Sequence, residues 1–365
     1  MRIDNLNEED VIFFKEVIKT KTGYEEYYDD FEKLLEDYNS TSDNDTKEEV
    51  IDKVIDIYYK VGIFPMKYLS KEDMRDDLNK LKHKEIEFNG EYLKCRSLYG
   101  LNTCRMLVQN IHKAKGTGRG VQGELSSFCS RKLMKRTVRF VMKSGEVPLP
   151  NKVRRAFALT SGSVQNFSPM RAKVIYDYYT NNGDTVYDFS SGFGGRMLGA
   201  LCSKNNLTYI GIEPNTETYN NLNSLLDFSL GILGKKENKS KIYKDVSEEF
   251  TMPKESIDFA FSSPPYFDVE RYCEEETQCY IKYPEYDNWL EGYVRPTLTN
   301  IYNMLKSGKV LAVNVANNKN HNIKDDWQKI AEEVGFKYEK TIVFDLSKCG
   351  KDNRNDKEGI LILKK

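Results

Sequence analysis

The chain has 365 residues, 39% apolar and 30% charged, with a formal net charge of −1, which reads as a globular protein long enough for two domains. No apolar run approaches the roughly 18 residues that span a bilayer, and the first residues, with Asp4, Glu8, Glu9 and Asp10, lack a signal-peptide pattern, so a cytosolic setting without a membrane partner is expected. The seven cysteines form no CxxC pair, so they read as reduced structural thiols and no metal is assigned.

Charge is laid out unevenly. Residues 1–60 hold 18 acidic and 8 basic side chains, whereas 105–155 hold 13 basic residues against only Glu124 and Glu146. One section repels phosphate and the next attracts it.

In chain order, the first 100 residues show helical apolar spacing in Val11 to Ile18 and in Val50 to Tyr59, with a polar surface loop expected from Asn39 to Thr46. A basic glycine-rich loop, Lys113 to Gly123, contains Lys115 and Arg119. A helix is expected from Glu124 to about Met142, where Lys132, Lys135, Arg136 and Arg139 repeat at three- and four-residue spacing and share a face fit to track phosphates. The other reading of that face is a solvated basic surface. Pro148 and Pro150 mark a boundary, giving a mainly helical N-terminal region over 1–150 and a second domain over 160–365.

From Phe167 onward, short β-branched runs alternate with helical stretches, the pattern of a doubly wound, Rossmann-like α/β sheet. Seven strands are predicted: Thr185 to Phe189, Thr208 to Ile212, Lys241 to Tyr243, Ile257 to Ser262, Val310 to Val315, Tyr338 to Phe344 and Ile360 to Leu363. Helices fill the gaps at Arg196 to Cys202, Glu217 to Phe228, Trp289 to Leu305 and Asp325 to Val334.

Three motifs in this half carry chemistry. The first strand ends at Asp188 and runs through Ser190 into Gly192, Gly194 and Gly195, a turn where missing Cβ atoms let backbone approach a ligand. It fails the dinucleotide fingerprint, because Gly195 directly follows Gly194 and Met197 stands where glycine belongs. The second strand ends at Glu213, placed to accept both ribose hydroxyls of a nucleoside cofactor, with capping of the next helix as the plainer alternative. The fourth ends in Ser263-Pro264-Pro265-Tyr266. Two prolines fix φ and remove two donors, leaving rigid carbonyl acceptors at the C-terminal end of a strand, where open α/β sheets bind ligands. The Ser263 hydroxyl and a proline-fixed carbonyl suit the two hydrogens of an amino group, and Tyr266 offers a ring face.

Together these residues resemble the DNA amino-methyltransferases, which modify N4 of cytosine or N6 of adenine. The resemblance covers roughly 167–365 and leaves the first 150 residues outside. It implies that Asp188, Ser190, Gly192, Gly194, Gly195 and Glu213 hold S-adenosylmethionine, with Phe167 and Pro169 as an upstream contact segment and Asp245 as a weaker candidate for the adenine amino group. It further implies that Ser263, Pro264, Pro265 and Tyr266 form the catalytic turn, with Phe267 and Arg271 against the base. Serine at the first motif position favours cytosine over adenine. Methylation of the cytosine ring carbon is disfavoured, because its nucleophilic cysteine typically follows proline and no Pro-Cys dipeptide occurs.

A duplex target base would have to be flipped out of the stack. Little chain follows the seventh strand, so recognition of DNA falls to the N-terminal region, with Lys115, Arg119, Lys132, Lys135, Arg136 and Arg139 on phosphates and the acidic helices facing away. Two alternatives stay open: an RNA base amino-methyltransferase, and a DNA-binding protein with an inactive methyltransferase domain.

Overall fold

The computed structural model describes residues 4–11, 23–116, 123–235, 237–344 and 358–365. Most of the helix expected over Val11 to Ile18 and six residues of the basic glycine-rich loop, Arg119 among them, therefore lie outside the described residues. The chain divides into two compact units, one of Met1–Asp73, Gln109–Gln165 and Glu270–Tyr272, the other of Met74–Val108, Asn166–Val269 and Cys273–Lys365. Residues 74–108 thus group with the sheet, and a short piece of the second half groups with the first unit.

The first unit begins with α1 (Tyr28–Ser40) and α2 (Asn44–Val61). The polar stretch between them shrinks to three residues, because Asp43 caps α2 by accepting the Thr46 N–H at 2.7 Å and the helix can start at once. Gly62 ends α2 in the left-handed conformation at φ +67. After α3 (Lys71–His83), β1 (Tyr92–Leu93) and α4 (Leu101–Leu107), all or mostly in the second unit, the chain returns with β2 (Lys115–Gly116), α5 (Glu124–Cys129), α6 (Arg131–Lys143) and α7 (Pro150–Thr160). The helix expected from Glu124 to Met142 is thus broken in two. Ser130 is extended, at φ −88 and ψ 114, and bridges to Asn5, whose side chain accepts the Arg131 N–H at 3.1 Å. An aromatic core of Phe31, Tyr58, Phe64, Phe128 and Phe157 holds these helices together.

The second unit continues with α8 (Pro169–Tyr179), β3 (Thr185–Asp188), α9 (Gly195–Leu201), β4 (Thr208–Ile212), α10 (Thr216–Leu233), β5 (Lys241–Tyr243) and β6 (Ile257–Ser262). The short strand β7 (Glu270–Arg271) belongs to the first unit, paired antiparallel with β2. Then follow α11 (Cys279–Lys282), α12 (Tyr286–Trp289), a π-helical turn over Leu290–Val294, α13 (Arg295–Met304), β8 (Leu305–Ala316), α14 (Ile323–Val334), β9 (Lys337–Phe344) and β10 (Glu358–Lys364). The helix expected from Trp289 to Leu305 is therefore interrupted by the π turn and ends one residue early, where β8 begins.

All seven predicted strands lie in one sheet, in the order β1-β9-β10-β8-β6-β3-β4-β5. The strands pair in parallel except β10, which runs antiparallel between β8 and β9. This is a Rossmann-like α/β fold whose last strand inserts backwards near one edge. β1, at that edge, was not expected from the sequence: two residues give no periodicity to read. The central strands are buried on both faces, with Phe259, Ala260, Phe261, Leu311, Ala312 and Val313 all fully covered, as a helix-sandwiched parallel sheet requires. Among the described residues no helix is long and apolar enough to cross a membrane.

Candidate functional site

The strand order reverses between β3 and β6, and open α/β sheets form their ligand crevice at such a switch point, outside the carboxyl ends of the strands. The glycine loop leaves β3 there and the Ser263–Tyr266 turn leaves β6. The Ser262 hydroxyl donates to Asp188 Oδ1 at 2.7 Å, tying the end of one strand to the end of the other.

Asp188 is fully buried and its acceptor positions are occupied from within. Oδ2 takes Arg196 Nε at 2.9 Å and the Tyr209 hydroxyl at 2.8 Å, while Oδ1 takes the Ser190 N–H at 3.3 Å besides Ser262. The expectation that Asp188 contacts a cofactor is corrected accordingly: its carboxylate holds the loop. The Arg196 guanidinium, also buried, donates to the Ser190 carbonyl, so the loop is clamped at both ends of one ion pair. Ser190 itself bonds the Phe189 carbonyl at 2.8 Å and meets the Tyr293 hydroxyl at 3.2 Å.

The three glycines of the loop have different reasons. A Cβ on Gly195 would sit 1.9 Å from the Phe167 carbonyl oxygen, and one on Gly194, at φ +82, would sit 2.6 Å from Leu225, so both serve close internal packing. On Gly192 a Cβ would make only ordinary contact, 3.8 Å from the Ser190 carbonyl oxygen; there the φ of +54 is what calls for glycine. Gly211 in β4, absent from the sequence reading, lets the loop close, since a Cβ there would strike the Ser191 hydroxyl at 2.3 Å. A glycine inside a predicted strand was the available signal.

Glu213 is 7% exposed. Its Oε2 accepts the Gly192 N–H at 3.1 Å and Oε1 the Asn215 N–H at 3.0 Å. Burial pushes its carboxyl up to about 8, against those two backbone donors, which pull it down. Each oxygen keeps a second acceptor position. Capping of the next helix falls instead to Asn215, which accepts the Thr218 N–H at 2.9 Å, so the plainer reading of Glu213 does not account for it. Asp245 is exposed at the end of β5 and accepts the N–H of Val246.

Upstream, Phe167 is half-buried against Phe261 at 5.4 Å, with the Arg196 guanidinium over its ring. Pro169 is buried at the first position of α8, capped by Ser168, and packs against Gly100. Asn166, one residue before the predicted segment, does more. Its Oδ1 accepts the Gly195 N–H at 3.3 Å and its Nδ2 donates to the Phe193 carbonyl at 2.8 Å, bracketing the glycine loop.

In the Ser263–Tyr266 turn, Ser263, Pro265 and Tyr266 are half-buried. Among the described residues the Ser263 hydroxyl has no hydrogen-bond partner. The Tyr266 hydroxyl donates to the Asn314 carbonyl at 3.1 Å and accepts from Asn314 Nδ2 at 3.3 Å, so the ring is held from β8 by a buried asparagine that sequence patterning did not single out. Phe267 does not face a base. At φ +60 it turns into the core, 5.7 Å from Trp289 and edge-on to Tyr286 and His321, and is 6% exposed. A non-glycine residue in that conformation is strained by about 1–3 kcal/mol, here held by aromatic packing.

Arg271 is exposed in β7, directly opposite Lys115 in the two-residue ladder of the first unit. Glu275 accepts the N–H of Thr216, the first residue of α10, at 3.0 Å.

The basic helix also departs from expectation. Acidic residues of α2 do not face away: Asp52 binds Arg131 at 3.1 Å and Lys135 at 2.9 Å, Asp56 binds Arg131, and Glu48 binds Arg139 at 3.0 Å. Lys135 and Arg139 are therefore engaged within the protein. Lys132 and Arg136 are exposed and make no ion pair among the described residues.

No protein-family model matches the chain. Over 97 residues it is 35% identical to the type II methyltransferase M.MjaVI of Methanocaldococcus jannaschii, an alignment covering 26% of this chain and 47% of that protein, about half the relative's length. Among solved structures it is similar to a TehB-like SAM-dependent methyltransferase from Corynebacterium glutamicum, with 13% identity, 63% of this chain and 98% of that chain covered and a TM-score of 0.36. A SAM-dependent methyltransferase from Methanosarcina mazei gives 14% identity, 52% and 94% coverage and the same TM-score. At these scores the strand order, rather than the likeness, defines the fold.

Proposed function

We propose that this chain is an S-adenosylmethionine-dependent methyltransferase that modifies an exocyclic amino group of a base in DNA, cytosine N4 before adenine N6. The observation that supports this reading is the 2.7 Å bond from Ser262 to Asp188, which ties the Ser263–Tyr266 turn to the glycine loop at the sheet's switch point. The stretch shared with a type II methyltransferase supports the same class of chemistry.

The residues fit the cofactor. Gly192 holds the loop in a left-handed turn, φ +54, beside the buried Glu213 carboxylate, which has two acceptor positions to spare for a ribose diol. When bound, S-adenosylmethionine supplies a methyl group made electrophilic by its sulfonium.

The chain's own task is alignment, worth several kcal/mol of barrier when reacting atoms are held in near-attack geometry. The target amino group donates its two hydrogens to the Ser263 hydroxyl oxygen and the Pro264 carbonyl. Both bonds draw the nitrogen's lone pair out of conjugation with the ring and stabilise the positive charge that grows on it. Tyr266, anchored by Asn314, stacks on the base, a contact worth about 1–3 kcal/mol. No covalent intermediate with the protein is needed.

The test is incubation with labelled S-adenosylmethionine and mixed-sequence DNA or tRNA, followed by nucleoside mass spectrometry. N4-methylcytosine from DNA is expected. A methylated nucleoside from tRNA alone assigns the chain to RNA, and full activity in both Ser263→Ala and Tyr266→Ala removes the site assignment.

A further inference from the structure

Helix α6 presents three faces. Met134, Val138, Val141 and Met142 are buried, and Arg131, Lys135 and Arg139 are matched by the acids of α2. The third face carries Lys132, Arg136, Phe140 and Lys143 at spacings of four, four and three, so the four side chains lie along one stripe. All four are exposed.

Two features of this stripe are unexplained by folding. Its three cations make no ion pair among the described residues, though α2 neutralises their neighbours on the same helix. Phe140 is 45% exposed in the middle of them, with no ring contact among the described residues. A cationic row costs self-repulsion and an exposed phenyl ring costs hydration. Both costs are removed by one kind of partner, a polyanion that also carries flat apolar rings. An open depression beside the stripe is lined by its Lys132 and Arg136, by Leu133, by the acid-matched Arg131, Lys135 and Arg139, and by Asp4 and Asn5.

We infer that this face of α6 binds a nucleic-acid strand in unstacked form, with Lys132, Arg136 and Lys143 on successive phosphates and Phe140 stacked on a base between them. Single-strand binders combine a positively charged track with an aromatic platform in this way, because phosphate contacts release counterions while every base offers a π face. The inference rests on the nucleic-acid part of the proposed function but not on its chemistry.

Binding is measured by fluorescence anisotropy on the full chain, without methyl donor, against a labelled oligothymidylate and an abasic strand of equal length. Phe140→Ala is expected to weaken oligothymidylate binding about tenfold and leave the abasic strand unchanged, with Phe140→Trp restoring it. The triple variant Lys132→Ala, Arg136→Ala, Lys143→Ala is expected to weaken both strands and to lower the log–log salt slope by about two.

The inference is overturned if Phe140→Ala binds both strands like the unmodified protein, if it weakens both equally, or if the triple variant leaves the salt slope unchanged. Thermal melting checks that each variant folds; these side chains are exposed, so melting is expected to stay put. A protein that binds strands as described yet transfers no methyl group loses the proposed chemistry and keeps this surface. One that methylates DNA with Phe140→Ala indistinguishable in binding loses this surface and keeps the chemistry.

Discussion

Replacing Glu213 by glutamine tests the cofactor cradle at its most polarised atom pair. In the ligand-free protein, burial holds the carboxyl up to about 8, so near pH 6.5 it is mainly protonated. A ribose diol donates two hydrogen bonds and needs the ionised form, so binding expels a proton below pH 8. Affinity should therefore rise with pH toward 8, with a limiting slope of tenfold, or about 1.4 kcal/mol, per unit, and level off above. The sign is set by the raised value: an acid already ionised at pH 6 would give no such rise. Glutamine keeps the volume, but its amide nitrogen cannot accept, so it leaves either the Gly192 or the Asn215 N–H unpaired at about 1–3 kcal/mol and removes charge-assisted bonds to the diol. Titration calorimetry with 5′-methylthioadenosine, which has the adenosyl part without a titrating amino acid, reads both effects. Weakening of at least tenfold at pH 8.5 and a flat pH profile are expected for the variant. A flat profile in the unmodified protein, or a slope kept by the variant, refutes the assignment.

Asp188→Asn leaves the buried Arg196 guanidinium without its counter-charge and should cost about 3–5 kcal/mol in urea denaturation; a loss near zero would mean that the pair does not hold the loop. Phe267→Ala should lower stability by about 3–5 kcal/mol through a cavity beside Trp289, with the methylated base unchanged in nucleoside analysis. Asn314→Ala frees one hydrogen bond to Tyr266 and should raise KM for nucleic acid about threefold to tenfold while cofactor affinity stays constant, a split that general destabilisation would not produce. Asp52→Asn takes one carboxylate from Arg131 and Lys135, which keep Asp56 and Glu48, and should melt the protein at lower temperature without weakening oligonucleotide binding.

The sequence alone located seven of the sheet's eight strands. They fall on short β-branched runs, one ending at Asp188, one before Glu213 and one in the Pro-Pro turn, because period and turn chemistry are local properties. It also placed the two loops that face the switch point, since a glycine turn and two prolines constrain backbone wherever they occur. Tertiary structure decided how each side chain is used. Asp188 and Glu213 both end strands and look alike in sequence; one is saturated by Ser262, Tyr209 and Arg196, the other keeps acceptor positions open, and only the packing of neighbouring strands distinguishes them. Adjacent Tyr266 and Phe267 part in the same way, because a left-handed φ turns the second ring into the core. The basic helix shows the limit most plainly. Lys132 and Lys135 have the same chemistry and sit three residues apart, yet which of them meets Asp52 depends on how α2 lies along α6, a long-range fact that no local spacing carries.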